Sequence, residues 1–568
     1  MKFQNVKKSD SKNFPKGTPL RFVGIGDSVT KNLTVYEYGE DMIAVDFGIG
    51  FPEEDIFGVD FIVPDMTYLL ENSHKLRGLF ISHAHADHFA AVPYLLQQLN
   101  VPIYANRLTQ EYIKTLLSEK EFKSLKKTVE MHLFDPTTEP VKLGPFTLSA
   151  FHVNHSVPDS LGIIIDTPEG ALVHMADFKI DFAPVLEDPI DFRTIADLRE
   201  RGILCLASDS LGSGKEGFVN SESSLNDTFP SIFGEYKDKQ IFITTISSNI
   251  SRMYQIIDAA VKSGRKVVPT GRSIDQSIRI SRSLGYLPFH DDAFVDLKKA
   301  VNLPQDSVVY IIAGCFGQSG SSLDRLSRGE HSDVRITENS LVVFSSEPGP
   351  PGADIAVDRV IGNLYLRGAE VLDYTMRGDL HVSGHGHRGD LSLIASMIKP
   401  KYYIPIGGDT VQIYTYGKML QEMGVDPSRV FKLQEGEVVE FRDGQVRMGD
   451  RIEVNDIYID GVGLSPIVVK DRETLSSDGV FVVVVPVDRE KNELAGKVDV
   501  ITRGFVYVKE SKALLGRSRD VINKVIDKDG KVVSNWGDIK NRVERDLQKF
   551  LYKETGRRPL IIVHSIFI

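Results

Sequence analysis

Cysteine is nearly absent from this chain: Cys205 and Cys315 are the only two in 568 residues. They lie far apart, in apolar or glycine-rich surroundings. No disulfide framework follows, and the reducing cytoplasm is the expected setting. The scarcity also means that any metal must be held mainly by histidine and carboxylate. Long hydrophobic runs are missing too. The longest, Val480–Val487, contains Pro486 and is far shorter than the roughly 20 apolar residues that a bilayer requires. It reads as a buried strand, and no membrane role is expected. The opening residues, MKFQNVKKSDSKNFPKG, lack the apolar core of a signal peptide. Basic charge is not in excess: 67 Lys and Arg stand against 78 Asp and Glu, a net charge of −11. That excludes a coat of positive charge for nonspecific DNA packing but leaves room for a local basic channel. Repeats and low-complexity segments are absent as well.

The rest is ordinary globular composition, 42% hydrophobic and 26% charged, so a core of useful size is easy to bury. A chain of this length corresponds to about three or four domains. Residues 1–17 read as a flexible tail. Residues 18–208 alternate short strands, glycine turns and helices, with an amphipathic stretch at 108–127. A second block, 209–375, has continuous apolar strands between helices at 250–263, 274–284 and 353–367, the pattern of a parallel sheet covered on both faces. Residues 376–448 resume the first pattern, with a helix at 410–423. Residues 449–465 read as a linker or small β extension. Residues 466–568 form an α+β unit with strands in GVFVVVVPVD, RGFVYV and PLIIVHSI and helices at 511–527 and 536–553.

The chemistry concentrates in Ser82-His83-Ala84-His85-Ala86-Asp87-His88, directly after the apolar Gly78-Leu79-Phe80-Ile81. A loop at a strand end can project several side chains to one point. His83 and His85 alternate and can face one centre, while Asp87 and His88 continue round the turn to a second. Imidazole with carboxylate suits zinc or manganese. Two further residues at strand ends complete such a site: His155 after FTLSAFHV, and Asp177 after ALVH, the carboxylate best placed to bridge two cations. The expectation is His83, His85 and His155 for a first metal, with Asp87, His88 and bridging Asp177 for a second. A bound zinc ion lowers the pKa of water from 15.7 to about 7, so hydroxide is available at neutral pH.

HAHADH with separate His and Asp residues resembles the metallo-β-lactamase superfamily. Asp46 in AVDFG matches that superfamily's first aspartate motif, an acid that orients a ligand histidine. The second block resembles a β-CASP insert. Asp209 in LASDS looks like its opening acidic motif, ISSN (246–249) like a substrate-contacting loop, and AGCFGQ (313–318) like its Gly-Ser-Gln-Gly loop. VFSSEP (343–348) looks like another shared strand end, and HVSGH (381–385) like its phosphate-binding motif. Residues 503–508 and 549–559 are similar to the C-terminal domain of ribonuclease J, so the resemblance runs over the whole chain after the tail. It implies an αββα sandwich with an inserted β-CASP α/β domain and a small C-terminal α+β domain. It also implies a metal-dependent ribonuclease that hydrolyses RNA phosphodiester bonds, 5′-to-3′ as an exonuclease favouring 5′-monophosphorylated RNA and also as an endonuclease. Zn²⁺, Mn²⁺ or Mg²⁺ would be the cofactor. His385 would act as general acid or phosphoryl stabiliser beside Asp87. His381, Ser383, Gly384, Ser248 and Asn249 would contact the RNA, and Asp46 and Asp209 would support the ligands. A homodimer or homotetramer with RNA-decay partners is implied as well.

Two departures stand out. Gly407, in IPIGGD, occupies the place where the family puts a metal-ligating histidine of the second site, and Ser251 replaces a histidine after the Ser-Asn loop. Asp409 or a water could substitute for the former. Two other readings therefore stay open: a degenerate or weakly active subunit that scaffolds an active partner, and a metallo-hydrolase of small phosphoesters or thioesters. Basic residues such as Lys179, Arg252, Arg325 and Arg388 could line a groove, although most charged side chains are simply solvated.

Overall fold

The computed structural model describes residues 17–26, 29–51, 59–347, 349, 353–460, 466–488, 491, 493–506, 512–527 and 536–568. The tail expected over 1–17 lies, apart from Gly17, outside the described residues. So do Pro348, residues 461–465 of the linker and residues 507–508 of RGFVYV. The chain divides into two compact units, one dominated by Val63–Asp456 and the other by Ile457–Ile568.

Two sheets face each other in the first unit. One has eight strands in the order Gln445–Met448, Val438–Arg442, Leu20–Gly26, Leu33–Tyr38, Asp41–Val45, Leu76–Phe80, Ile103–Ala105 and Met131–Leu133. The other has six: Tyr402–Ile406, Ile203–Asp209, Gly170–His174, Leu161–Thr167, Phe146–His152 and Val141–Leu143. Their inner faces share one core, in which Phe22, Tyr36, Ile43 and Phe80 meet Leu148, Ile163, Cys205 and Ile404. The outer face of the six-stranded sheet is covered by the helices Phe192–Arg201, Arg388–Ile398 and Thr410–Glu422 through Ile195, Leu198, Leu391, Ile394, Tyr416 and Leu420. Helix, sheet and sheet in layers give each sheet a buried apolar face. Gln445–Met448, at the end of the 376–448 block, pairs with Val438–Arg442 as an edge strand.

Between Ile203–Asp209 and its parallel neighbour Tyr402–Ile406 the chain leaves this sheet and builds another. The inserted sheet is wholly parallel, in the order Lys266–Thr270, Val308–Ile312, Gln240–Thr244, Ser340–Phe344 and Glu370–Leu372. Its strands are almost wholly buried, as the continuous apolar runs predict. The connection out of Gln240–Thr244 runs to the Lys266–Thr270 side of the sheet, and that out of its neighbour Ser340–Phe344 runs to the opposite side, to Glu370–Leu372. In open parallel sheets such a switch point leaves a crevice at the strands' carboxyl ends. The helices Ile250–Lys262 and Arg272–Leu284 match the expected spans within two residues. The amphipathic stretch at 108–127 is helical only over Arg107–Leu116, followed by a short turn at Leu125–Lys127.

In the second unit, Val480–Val487 pairs antiparallel with Asp499–Arg503 and parallel with Leu560–Phe567. Phe481, Val483, Val485 and Val487 alternate inward and pack on Ile522 and Val525 of the helix Lys512–Asp527 and on Val543 and Leu547 of Trp536–Thr555. The run reads as fully apolar, yet only every second side chain is buried, because helices cover one face alone.

Candidate metal centre and adjoining cavity

Six strand ends deliver the site. Asp46 follows Asp41–Val45, and the His83–His88 loop follows Leu76–Phe80. His155 follows Phe146–His152, and Asp177 follows Gly170–His174. Asp209 ends Ile203–Asp209, and Gly407 follows Tyr402–Ile406. Asp177 is the hub. Its Oδ2 lies 3.2 Å from His88 Nε2, 3.7 Å from His83 Nε2, 3.8 Å from His155 Nε2 and 3.9 Å from His385 Nε2. Three overlapping sets of ligand atoms result, each gathered within 4.8 Å: His83, His85, His155 and Asp177; Asp87, His88 and Asp177; and Asp177, Asp209 and His385. The first two sets contain the residues expected for two metals.

Partners on the far side of each ring fix which nitrogen faces the cluster. His155 Nδ1–H donates to Gly384 O at 2.6 Å, which leaves Nε2 with its lone pair. A Cβ on residue 384 would come within 2.9 Å of His155 Cε1, so this approach needs glycine. His88 Nδ1–H donates to Asp46 Oδ2 at 2.8 Å. Ser82 Oγ–H gives its proton to the same carboxylate oxygen at 2.8 Å and accepts from His83 Nδ1 at 2.9 Å. Asp46 Oδ1 takes the Ser82 backbone N–H at 2.7 Å. His85 uses Nε2 on Ser156 Oγ and turns Nδ1 inward, 3.0 Å from His155 Nε2. His83 Nε2 is buried with no hydrogen-bond partner among protein atoms. A buried, unsatisfied imidazole nitrogen beside three other ligand atoms is the signature of a metal donor.

The protonation pattern agrees with this chemistry. Burial drives His83 and His155 well below the ordinary histidine range and takes His85 down to about 4, so all three are neutral donors. Burial also opposes ionisation of Asp177, but His88 and His385 hold its carboxylate well below the usual range. His88 goes the other way. Desolvation disfavours its charge, yet Asp177, Asp87 and Asp46 outweigh that and raise it well above 6.5. The second set is thus a place that calls for positive charge, which a proton supplies when no cation does. His385 is likewise desolvated, but Asp209, at 2.8 Å from its Nδ1, and Asp177 push it up to about 9.

Gly407 adopts φ +66°, and a Cβ there would lie 3.4 Å from Asp177 Oδ1 and 3.8 Å from Asp209 Oδ1. A side chain at 407 would therefore approach Asp177, which all three ligand sets share, on the side of Asp209. Asp409 does not: its carboxylate caps the helix Thr410–Glu422 by accepting from Gln412 N at 2.8 Å.

A cavity of about 520 Å³ opens beside the cluster. His85, Asp87, Asp177 and His385 form one wall. The carboxyl ends of the inserted strands form the other through Thr245, Ser247, Ser248, Ser273, Gly314, Phe316 and Gln318. His381, Ser383 and Gly384 also line it. His381 Nδ1 is buried without a hydrogen-bond partner, and burial, with Arg252 nearby, holds that ring neutral. Asn249 is not among the cavity's lining residues. It is 1% exposed and caps the helix Ile250–Lys262 through Arg252 N at 2.9 Å.

None of the four cations considered for a groove is among the cavity's lining residues. Lys179 and Arg252 are buried around Glu222, the lysine also beside Asp181 at 3.2 Å. Arg252 further donates to Ser345 Oγ and to the carbonyls of Ser345 and Leu380, so it ties the inserted domain to the residue before His381. Near a dense set of carboxylates a buried cation is an internal counter-ion rather than a surface one. Arg388 is ion-paired with Glu422, and Arg325 is exposed on a helix. Reading residues missed Asn32, whose Nδ2 lies 3.1 Å from His88 Nε2 and 3.2 Å from Asp87 O. It also missed the buried pair Tyr36–His174 beneath the cluster, 2.9 Å apart. An asparagine in a turn and a histidine inside a strand carry no local signal.

Comparison with known proteins places the chain among relatives. The family descriptions "Beta-lactamase superfamily domain", "Ribonuclease J, beta-CASP domain" and "Ribonuclease J C-terminal domain" match residues 55–190, 238–364 and 467–567. The chain is 33% identical to ribonuclease J2 of Bacillus subtilis strain 168 over 550 residues, 95% of this chain and 96% of that one. It is 34% identical to ribonuclease J 1 of Streptococcus pyogenes serotype M3 over 547 residues, 95% of each chain. Among solved structures, a protein of unknown function from Enterococcus faecalis V583 aligns with a TM-score of 0.51 at 16% identity, over 74% of this chain and 100% of its own. That likeness concerns the fold alone.

Proposed function

This chain belongs to the ribonuclease J family, and on that footing we propose that it is a metal-dependent ribonuclease with 5′-to-3′ exonuclease and endonuclease activity in RNA processing and decay. The observation that carries the reading is the cluster of five histidines around Asp177, open to a cavity whose other wall is the carboxyl ends of the inserted strands. The donor set fits a divalent cation, because the inward nitrogens of His83, His85 and His155 are neutral and that of His83 has no other use. His83, His85, His155 and Asp177 would hold one ion; Asp87, His88 and the shared Asp177 would hold another. A divalent cation there supplies Lewis acidity, favouring hydroxide at neutral pH and offsetting charge on a phosphoryl oxygen.

The chain's own residues do the rest. Asp46 and Ser82 orient His83 and His88, and Gly384 O orients His155. Ser383, His381 and Ser248 line the cavity and would lie against phosphate oxygens there. Asn249 would act by shaping the Ser248 turn, since its side chain is a helix cap. His385, protonated below about pH 9, holds a proton on the cavity wall where a departing ribose 3′ oxygen needs one. Asp209 keeps that imidazole aimed.

A second reading, of a weakly active subunit, is favoured by Gly407: the second ligand set lacks a side chain where one would reach Asp177. Metal analysis of the purified protein beside degradation of 5′-monophosphorylated RNA separates the two. The enzyme reading expects at least one ion per chain, RNA turnover, and loss of both in His85→Ala. Metal-free protein without turnover in Mn²⁺, Mg²⁺ or Zn²⁺ would sink it. We place this activity in the cytoplasm, in a homodimer or homotetramer with RNA-decay partners. In support, no helix among the described residues is long and apolar enough to cross a membrane, and the edge strand Leu560–Phe567 exposes Ile562, Ile566 and Phe567.

A further inference from the structure

The helix Thr410–Glu422 begins beside the catalytic cluster, two residues after Gly408, and Gln412 in its first turn lines the cavity. Along its outward side runs a stripe of different chemistry. Thr410, Val411, Tyr414, Thr415, Lys418 and Gln421, with Lys432 from outside the helix, border a shallow depression of about 550 Å³. At a rise of 1.5 Å per residue the stripe is about 16 Å long. Tyr414 is 55% exposed and Val411 71% exposed, on a helix whose opposite face is fully packed.

Lys432 is set into this surface. Its stem crosses the helix at Gly417, where a Cβ would lie 3.1 Å from Lys432 Cδ, and its ammonium ends 4.4 Å from the centre of the Tyr414 ring. Glycine inside a helix is destabilising relative to alanine. Here it lets a cation lie against an aromatic face. No carboxylate borders the depression, although the chain as a whole carries a net charge of −11. Two lysines beside an exposed aromatic ring are the chemistry of single-stranded nucleic acid: cations for phosphates and a flat face for a base.

We propose that this stripe is a track for the single-stranded part of the substrate, on which RNA leaving the cavity past Gln412 stacks one base on Tyr414 and lays phosphates against Lys418 and Lys432. The proposal rests on the ribonuclease reading and extends it to a surface outside the cavity. It makes affinity depend on RNA length: only strands long enough to leave the cavity reach the track.

The test is binding of 5′-monophosphorylated oligouridines, from two to about fifteen nucleotides, to the full chain in EDTA, read by fluorescence anisotropy. Tyr414→Ala should weaken the longer oligonucleotides roughly tenfold and leave the dinucleotide unchanged. Tyr414→Phe should restore full affinity. Lys418→Gln and Lys432→Gln should each lower the salt dependence, the slope of log K against log salt, by about 0.7. A 4-thiouridine beyond the cavity should photo-crosslink to the peptide containing Tyr414. Equal affinity of wild type and Tyr414→Ala at every length overturns the track while leaving the ribonuclease reading intact. A wild-type chain that binds no RNA overturns both. Unchanged RNA binding with weakened self-association in Tyr414→Ala overturns the track and assigns the stripe to a protein contact.

Discussion

Gly407 stands where a β-carbon would sit 3.4 Å from Asp177 Oδ1, the carboxylate around which the histidine cluster is organised. The ligand sets that share Asp177 therefore receive no side chain from position 407. A histidine introduced there must take φ +66°, a left-handed conformation that histidine tolerates better than most residues, at about 1 kcal/mol. Gly407→His should raise the metal content per chain and tighten the weaker class of sites in a calorimetric titration. Unchanged stoichiometry and affinity would mean that water or another group already fills the position.

Asp46 accepts from His88 Nδ1, Ser82 Oγ and Ser82 N, so one buried carboxylate aims ligands of both sets. Asp46→Asn offers one acceptor oxygen and an unwanted donor. Metal affinity should fall about 10- to 100-fold while His83 and His88 remain in place. Competition with a chromophoric chelator measures it, and wild-type affinity in the variant would remove Asp46 from this role.

The His385–Asp209 pair gives a pH dependence whose direction is fixed. His385 lies above its ordinary 6.5, at about 9. Its stabilising effect on the metal-free protein is complete below pH 6.5 and is lost as pH rises through about 9. The difference in unfolding free energy between wild type and His385→Ala, measured in EDTA, should shrink by on the order of 2–3 kcal/mol between pH 6 and pH 10. A difference that is flat with pH would contradict the assignment.

Arg252 is the buried counter-ion of Glu222 and a donor to Ser345 and Leu380. Arg252→Met leaves a buried carboxylate with Lys179 as its remaining nearby cation and should cost about 3–5 kcal/mol in denaturant unfolding. Adding Glu222→Gln should recover part of that loss. Because Arg252 also holds the residue before His381, Arg252→Lys should raise KM for RNA more than it lowers kcat. Equal changes in both would limit the arginine to folding.

The sequence by itself determined the layers of the fold and most of the site's chemical inventory. Apolar periodicity identified buried strands, and strand-loop-helix order placed HAHADH, His155 and Asp177 at strand ends, because backbone direction is a local property. It also identified Gly407 as a departure from the family pattern. Only the tertiary structure decided how these groups act. His83, His85 and His155 have their inward nitrogens chosen by Ser82, Ser156 and Gly384, partners up to 229 residues away in sequence. Lys179 and Arg252 look like groove cations in one dimension and are buried around Glu222 in three. Asn249 caps a helix instead of facing the cavity, and Asn32, unremarkable in its turn, reaches Asp87 and His88. Residue type and spacing fix what a side chain can donate or accept; burial and the partner it meets depend on which chain segments fold against it, and no local pattern records that.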